Sequence, residues 1–133
     1  MPHASRDTAA ESVSLFGIDV KLTNFDGGYT VCFESHAHEQ DLGPLFEGLS
    51  DDSCQFIRLG YVIEGSTAFR IGDRVETYSA GDAYYVPPGH VPIQHRGARL
   101  VEFSPTEPLG QAIGVLMANV ERGREPRLLP SRT

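Results

Sequence analysis

Apolar and polar residues alternate with a period of two along much of the chain, in short segments separated by Gly, Pro and Asp. Ile18, Val20 and Leu22 alternate with Asp19 and Lys21. The segment from Asn24 to Gly28 carries turn residues, after which Tyr29, Val31 and Phe33 alternate with Thr30, Cys32 and Glu34. This pattern predicts two antiparallel strands. From Gln40 to Ser53 the alternation lapses into a long loop with one apolar patch at Leu45 and Phe46, the kind of segment that forms a lid or a pocket wall. Cys54 to Ile63 is a nearly continuous apolar run closed by Gly65, and Thr67 to Ile71 faces Arg74 to Tyr78 across a tight Gly72-Asp73 turn. Ala83 to Val86 and Arg99 to Phe103 bring the count to about eight strands. With no long crossover, an all-β closed barrel or jelly roll is expected, because an open sheet of that size leaves edges to protect. One helix is predicted, from Leu109, Ile113, Leu116, Met117 and Val120, with Ser104 or Thr106 as its cap ahead of Pro108. Its apolar face is expected against the outside of the barrel or a second subunit.

Composition narrows the picture. With 133 residues, 40% hydrophobic and 22% charged, the chain has room for one domain with one core. The first residues are small and polar and the last mix Arg, Pro, Gly and Ser, so 1–11 and 121–133 are expected to be flexible tails around a domain at 12–120. A net charge of -7 without a dense run of Lys or Arg argues against nucleic acid as a partner. The start lacks a signal-peptide core and no stretch is apolar enough to span a membrane, so a cytoplasmic protein is expected. In that compartment Cys32 and Cys54 are expected to be buried thiols rather than a disulfide.

The most specific local signal is Gly81-Asp-Ala-Tyr-Tyr-Val-Pro87-Pro88-Gly89. Gly81 permits a sharp bend into a strand, and the Pro-Pro-Gly turn reverses the chain at its far end. This segment resembles the second cupin motif, and Tyr61-Val-Ile-Glu64-Gly65 resembles the end of the first, with fifteen residues between Gly65 and Gly81. The chain thus resembles a small single-domain cupin of the RmlC-like superfamily, which implies a cupin β-barrel (a double-stranded β-helix or jelly roll) with one C-terminal helix. The family's metal ligands do not carry over. Its first-motif Glu position falls on Arg58, its two His positions on Asp52 and Cys54 or on Asp51 and Ser53, and its second-motif His on Pro92. A cation and a proline at those places disfavour a divalent ion. A displaced site built from His36, His38 and His90, holding Fe, Zn, Mn or Ni, is the alternative. A solvated strand face shared with Thr30 and Glu34 is the stronger reading of His36 and His38.

In a barrel of this kind, alternation turns Cys54, Phe56 and Arg58 inward. Arg58 then needs an anionic partner, with Asp51, Asp52 and Glu102 as candidates, or serves as a donor fork for a ligand oxygen. His90 is the candidate acid or base, Arg58 the oxyanion donor and Glu102 the residue that orients one of them. Cys54, Phe56, Tyr85 and Gln94 are expected to line the ligand pocket, with Tyr84 and Tyr85 read as barrel filler rather than as catalysts. The resemblance allows an isomerase, cyclase or lyase acting by proton transfer on a small oxygenated metabolite, as in natural-product tailoring. A metal-dependent cupin and a non-catalytic ligand-sensing or carrier module are the alternatives. The resemblance also makes a homodimer the default, with the N-terminal strand the candidate swapped element.

Overall fold

The structure is a computed structural model that describes residues 2–132. Its strands are β1 (Glu11–Leu15), β2 (Ile18–Asn24), β3 (Tyr29–His36), β4 (Gln40–Asp41), β5 (Arg58–Glu64), β6 (Ser66–Ile71), β7 (Arg74–Ser79), β8 (Ala83–Val86), β9 (His90–Gln94), β10 (Arg99–Pro105) and β11 (Arg127–Leu128), with one helix, α1 (Thr106–Glu121). They form two antiparallel sheets, ordered β1-β2-β3-β10-β5-β8 and β11-β4-β9-β6-β7. All the predicted strands are present. The expected turns also form, and Gly89 closes the Pro-Pro-Gly turn at a φ of 95°, which only glycine adopts without strain.

Three differences follow from tertiary packing. The segment expected as a C-terminal tail is tied down: β11 pairs with β4, and Arg127 and Arg132 form ion pairs with Asp41 and Glu39. The loop from Gln40 to Ser53 is short-range structure, with 3₁₀ turns at Gly43–Phe46 and Ser50–Asp52 that bury Leu45 and Phe46. The helix is not on the outside of the barrel. It roofs the space between the sheets, and Asn119 holds it there by donating from Nδ2 to the carbonyls of Leu45 (2.7 Å) and Glu47 (2.8 Å). It starts after Pro105 without a side-chain cap; Ser104 belongs to β10, and the Thr106 hydroxyl pairs with that of Thr30 at 2.8 Å.

Between the sheets the inward residues are Thr30, Cys32, Glu34 and His36 of β3, Arg58, Gly60 and Val62 of β5, and Leu100, Glu102 and Ser104 of β10. The face of β3 that carries His36 is therefore interior rather than solvated. On β5 the bulky apolar residues Leu59, Tyr61 and Ile63 point outward and are exposed. Among the described residues no helix is long and apolar enough to cross a membrane. Cys32 and Cys54 are both free and buried.

Candidate functional site

A pocket of about 170 Å³ lies under α1, lined mostly by apolar residues, some of which reach solvent at its mouth. Val13, Leu15, Ile18, Val20 and Leu22 come from the β1-β2 hairpin, Leu42, Leu45 and Phe46 from the loop after β4, and Leu109, Ile113, Leu116, Met117 and Val120 from the helix. Glu34, His36, Arg58 and Glu102 form one polar cluster in this wall, and Thr67, Gln94 and Ser104 are its other polar residues.

The cluster is built by cross-strand register. Glu102 on β10 lies opposite Gly60 on β5, which in turn lies opposite Tyr84 on β8. A side chain at Gly60 would occupy the place of the Tyr84 ring, so glycine there opens the gap through which Tyr84 reaches across to Glu102. The Tyr84 hydroxyl donates to Glu102 Oε2 at 2.5 Å, and Arg58 Nη1 donates to Glu102 Oε1 at 2.8 Å. On the adjacent strand His36 Nε2 lies 3.0 Å from Glu34 Oε1, and the Glu34 and Glu102 carboxyls are near enough for each to influence the other's proton affinity.

Burial pushes Glu102 up to about 7; Arg58 opposes this and the Glu34 charge adds to it. Burial also works against the charge on Glu34, but the hydrogen bond and charge of His36 hold its carboxyl below the usual range. Arg58 keeps its charge despite burial because Glu102 faces it. Burial and the Glu102 charge push the Tyr84 hydroxyl far up, so it acts only as a donor. Burial, reinforced by Glu34 and Glu102, raises the Cys32 thiol to about 12, which keeps it protonated and inert.

The sequence-predicted residues divide. Arg58, Glu102 and Gln94 line the cavity, and Arg58 takes Glu102 as its anionic partner rather than Asp51 or Asp52. Tyr85 is corrected: it is 59% exposed on the outer face, because β8 turns its neighbour Tyr84 inward. Cys54 and Phe56 are buried yet outside the cavity wall; Phe56 packs its ring under the Arg58 guanidinium at 5.5 Å. His90 is corrected too. It is fully buried outside the cavity wall, edge-on to Phe69, and its Nδ1 donates to the Pro87 carbonyl at 2.6 Å. Glu34 and Tyr84 are the site residues that strand alternation alone did not single out. The only signal for Glu34 was its shared parity with His36, and that parity is equally compatible with solvent.

His90 has a structural consequence that can be measured. Burial, with the Arg58 charge, lowers its pKa to about 4, so the folded protein keeps it neutral while the unfolded chain protonates it near 6.5. This contribution to stability is present above pH 6.5 and is lost as pH falls through about 4, amounting to about 3 kcal/mol. Urea unfolding across that window is expected to show an acid-side loss that His90→Gln removes. An unchanged slope in the variant would contradict this assignment.

A divalent ion, which the fold family implies, finds no suitable donor set here. His36 is on the cavity wall, His38 is exposed beyond the end of β3 and His90 lies outside the wall, so these three do not converge. Among the described residues no group of three or more His, Cys, Asp or Glu side chains is arranged to hold a metal. Both cavity carboxyls are engaged, by His36 and by Arg58, and the guanidinium already supplies the positive charge beside Glu102.

No family model and no curated protein sequence matches this chain. Solved structures do. The EutQ protein of Clostridium difficile aligns with a TM-score of 0.53 at 15% identity, over 68% of this chain and 69% of that one. A Streptomyces PAC13 variant with uridine gives 0.54 at 18% identity, over 77% and 79% of the two chains. An RmlC-like cupin of Shewanella frigidimarina gives 0.51 at 19%, over 80% and 94%. Two antiparallel sheets closed around one cavity, with these neighbours, define a cupin barrel. The chain has the fold of the cupin superfamily.

Proposed function

We propose that this chain is a small-molecule-binding cupin enzyme that moves a proton on a largely apolar, oxygenated metabolite, in an isomerisation, cyclisation or lyase step without a metal. The observation that carries this reading is the pair of buried carboxyls, Glu34 and Glu102, on the wall of an apolar cavity and in contact with Arg58 and Tyr84. A carboxyl raised toward neutrality can both take and return a proton near pH 7.

Glu102, rather than His90, is then the proton carrier. Its carboxylate removes a proton from the carbon beside a substrate carbonyl, and the electron pair left behind moves onto the carbonyl oxygen to give an enolate. The Arg58 Nε–H, buried without a partner among the described residues, is the donor for that developing charge. Protonated Glu102 then returns the proton to a carbon or oxygen of the product. Tyr84 and the Glu34–His36 pair hold the carboxyl in place and set its proton affinity. The two unpaired thiols suit a reducing, cytoplasmic setting.

The test is deuterium wash-in from D₂O at the carbon beside the carbonyl of a small aryl ketone such as butyrophenone, followed by NMR. Exchange above the buffer rate that depends on Glu102 supports the reading. Binding with no wash-in would instead make the chain a carrier or sensor.

The same reading includes a homodimer. Leu59, Tyr61 and Ile63 of β5, with Phe103 of β10 and Tyr85 of β8, form an exposed apolar face on the outer side of the six-stranded sheet. A second copy related by a two-fold axis covers such a face with itself. Light scattering is expected to give twice the chain mass for the protein and one chain mass for Tyr61→Glu. A monomeric parent protein would rule the dimer out.

A further inference from the structure

We infer that the cavity binds an uncharged ligand with two oxygens on an apolar body, one oxygen at the Glu102 wall and the other on the Gln94 amide of the opposite sheet. This rests on the proposed use of the cavity as the ligand site.

The Gln94 side chain is oriented by its neighbour. Gln40 on β4 lies directly opposite Gln94 on β9. Gln40 Nε2 donates to the Phe16 carbonyl at 3.0 Å and to Gln94 Oε1 at 2.8 Å. A backbone carbonyl only accepts, so the Phe16 contact settles which end of the Gln40 amide is nitrogen. The second hydrogen of that nitrogen then needs an oxygen, which settles the orientation of Gln94. Gln94 is left with its NH₂ group as a fixed donor that has no partner among the described residues, on a side chain 2% exposed that lines the cavity. Thr67 is its register partner on β6. It is 1% exposed, lines the same wall, and its hydroxyl also has no partner among the described residues. Both donors line the cavity, so an oxygen acceptor on the ligand would satisfy them.

Charge limits what carries that oxygen. Among the described residues, Arg58 is the only Lys or Arg on the cavity wall, and its Nη1 is already bound to Glu102 at 2.8 Å. Glu34 and Glu102 thus put two carboxyls beside a single guanidinium on this wall. A ligand carboxylate or phosphate would enter beside two carboxyls, with only the Nε–H of an already paired Arg58 left to meet its full charge. The rest of the ligand faces Leu22, Leu45, Phe46, Leu100, Leu109 and Leu116, which reward an apolar body.

A matched series sharing one aryl body tests this. Benzoylacetone has two uncharged oxygens, butyrophenone has one, and benzoylacetate places a carboxylate where the second carbonyl stood. Titration calorimetry is expected to give about tenfold tighter binding of benzoylacetone than of either other probe. In Gln94→Leu, whose fold is checked by circular dichroism, the preference over butyrophenone is expected to fall close to one. Equal binding of all three by the parent protein, tighter binding of benzoylacetate, or a preference that survives in Gln94→Leu would overturn the inference. If Gln94→Leu does not fold, the parent protein's ranking of the three probes decides. Failure of the proposed proton transfer is a separate outcome: the binding preference would stand while Glu102→Gln left the deuterium wash-in unchanged.

Discussion

Arg58→Met is expected to lower folding stability by about 3–5 kcal/mol, a loss that a second change, Glu102→Leu, largely restores. Arg58 is 12% exposed at its side chain and Glu102 3%, so their ion pair has little water to fall back on. Removing the guanidinium leaves two neighbouring carboxyls with no opposing charge except that of His36 when protonated. The cost comes from stranding a buried charge rather than from the worth of the pair, which is why deleting both partners costs less than deleting one. The deficit also depends on pH. Without Arg58 the Glu102 carboxyl holds its proton more tightly, so its folded-state pKa rises further above its unfolded value. A raised carboxyl pKa gives stability that is present at low pH and lost as pH rises. Urea unfolding of Arg58→Met is therefore expected to show its largest deficit above pH 7 and a smaller one near pH 5. A uniform deficit of under 1 kcal/mol would mean the cluster is solvated and the cavity open.

Glu102→Gln is expected to reduce deuterium wash-in by a factor of about 10² to 10⁴ while leaving ketone affinity within about threefold. The amide keeps the shape and the Tyr84 contact but cannot take a proton. In the parent protein the ionised carboxylate is the base, so the rate is expected to rise with pH and level off above about 7, following the raised Glu102 pKa. The variant should lose this step from its pH profile. Its folding stability should also lose the Glu102 contribution, which is present below the unfolded carboxyl pKa and disappears as pH rises through about 7. A variant that exchanges deuterium at the parent rate would leave the carboxyl pair with a structural role only.

Glu34 and Tyr85 mark how far the sequence could be read. Period-two alternation on β3 separates Tyr29, Val31 and Phe33 from Thr30, Cys32, Glu34 and His36, but says nothing about which set faces inward. In an ordinary strand the apolar set is buried. Here the polar set is inside because His36, Arg58 and Tyr84 arrive from β3, β5 and β8 to satisfy Glu34 and Glu102. On β8 the two adjacent tyrosines are equivalent in sequence, and only the gap at Gly60 decides that Tyr84 points in and Tyr85 out. The sequence marks His90 as a candidate acid or base but not as a core residue, since its burial depends on Phe69 from another strand.

The sequence alone set the strands, the turns at Gly72, Gly81 and Gly89, the helix, and the inward parity of Arg58 and Glu102, because these follow from local backbone preference and residue spacing. Tertiary structure alone decided that α1 roofs the cavity, that the chain end locks onto β4, and that Glu34, Glu102, Arg58 and Tyr84 meet. Those outcomes depend on strand register and on charges brought together from distant segments, and the energy of a buried ion exists only once its partners have arrived.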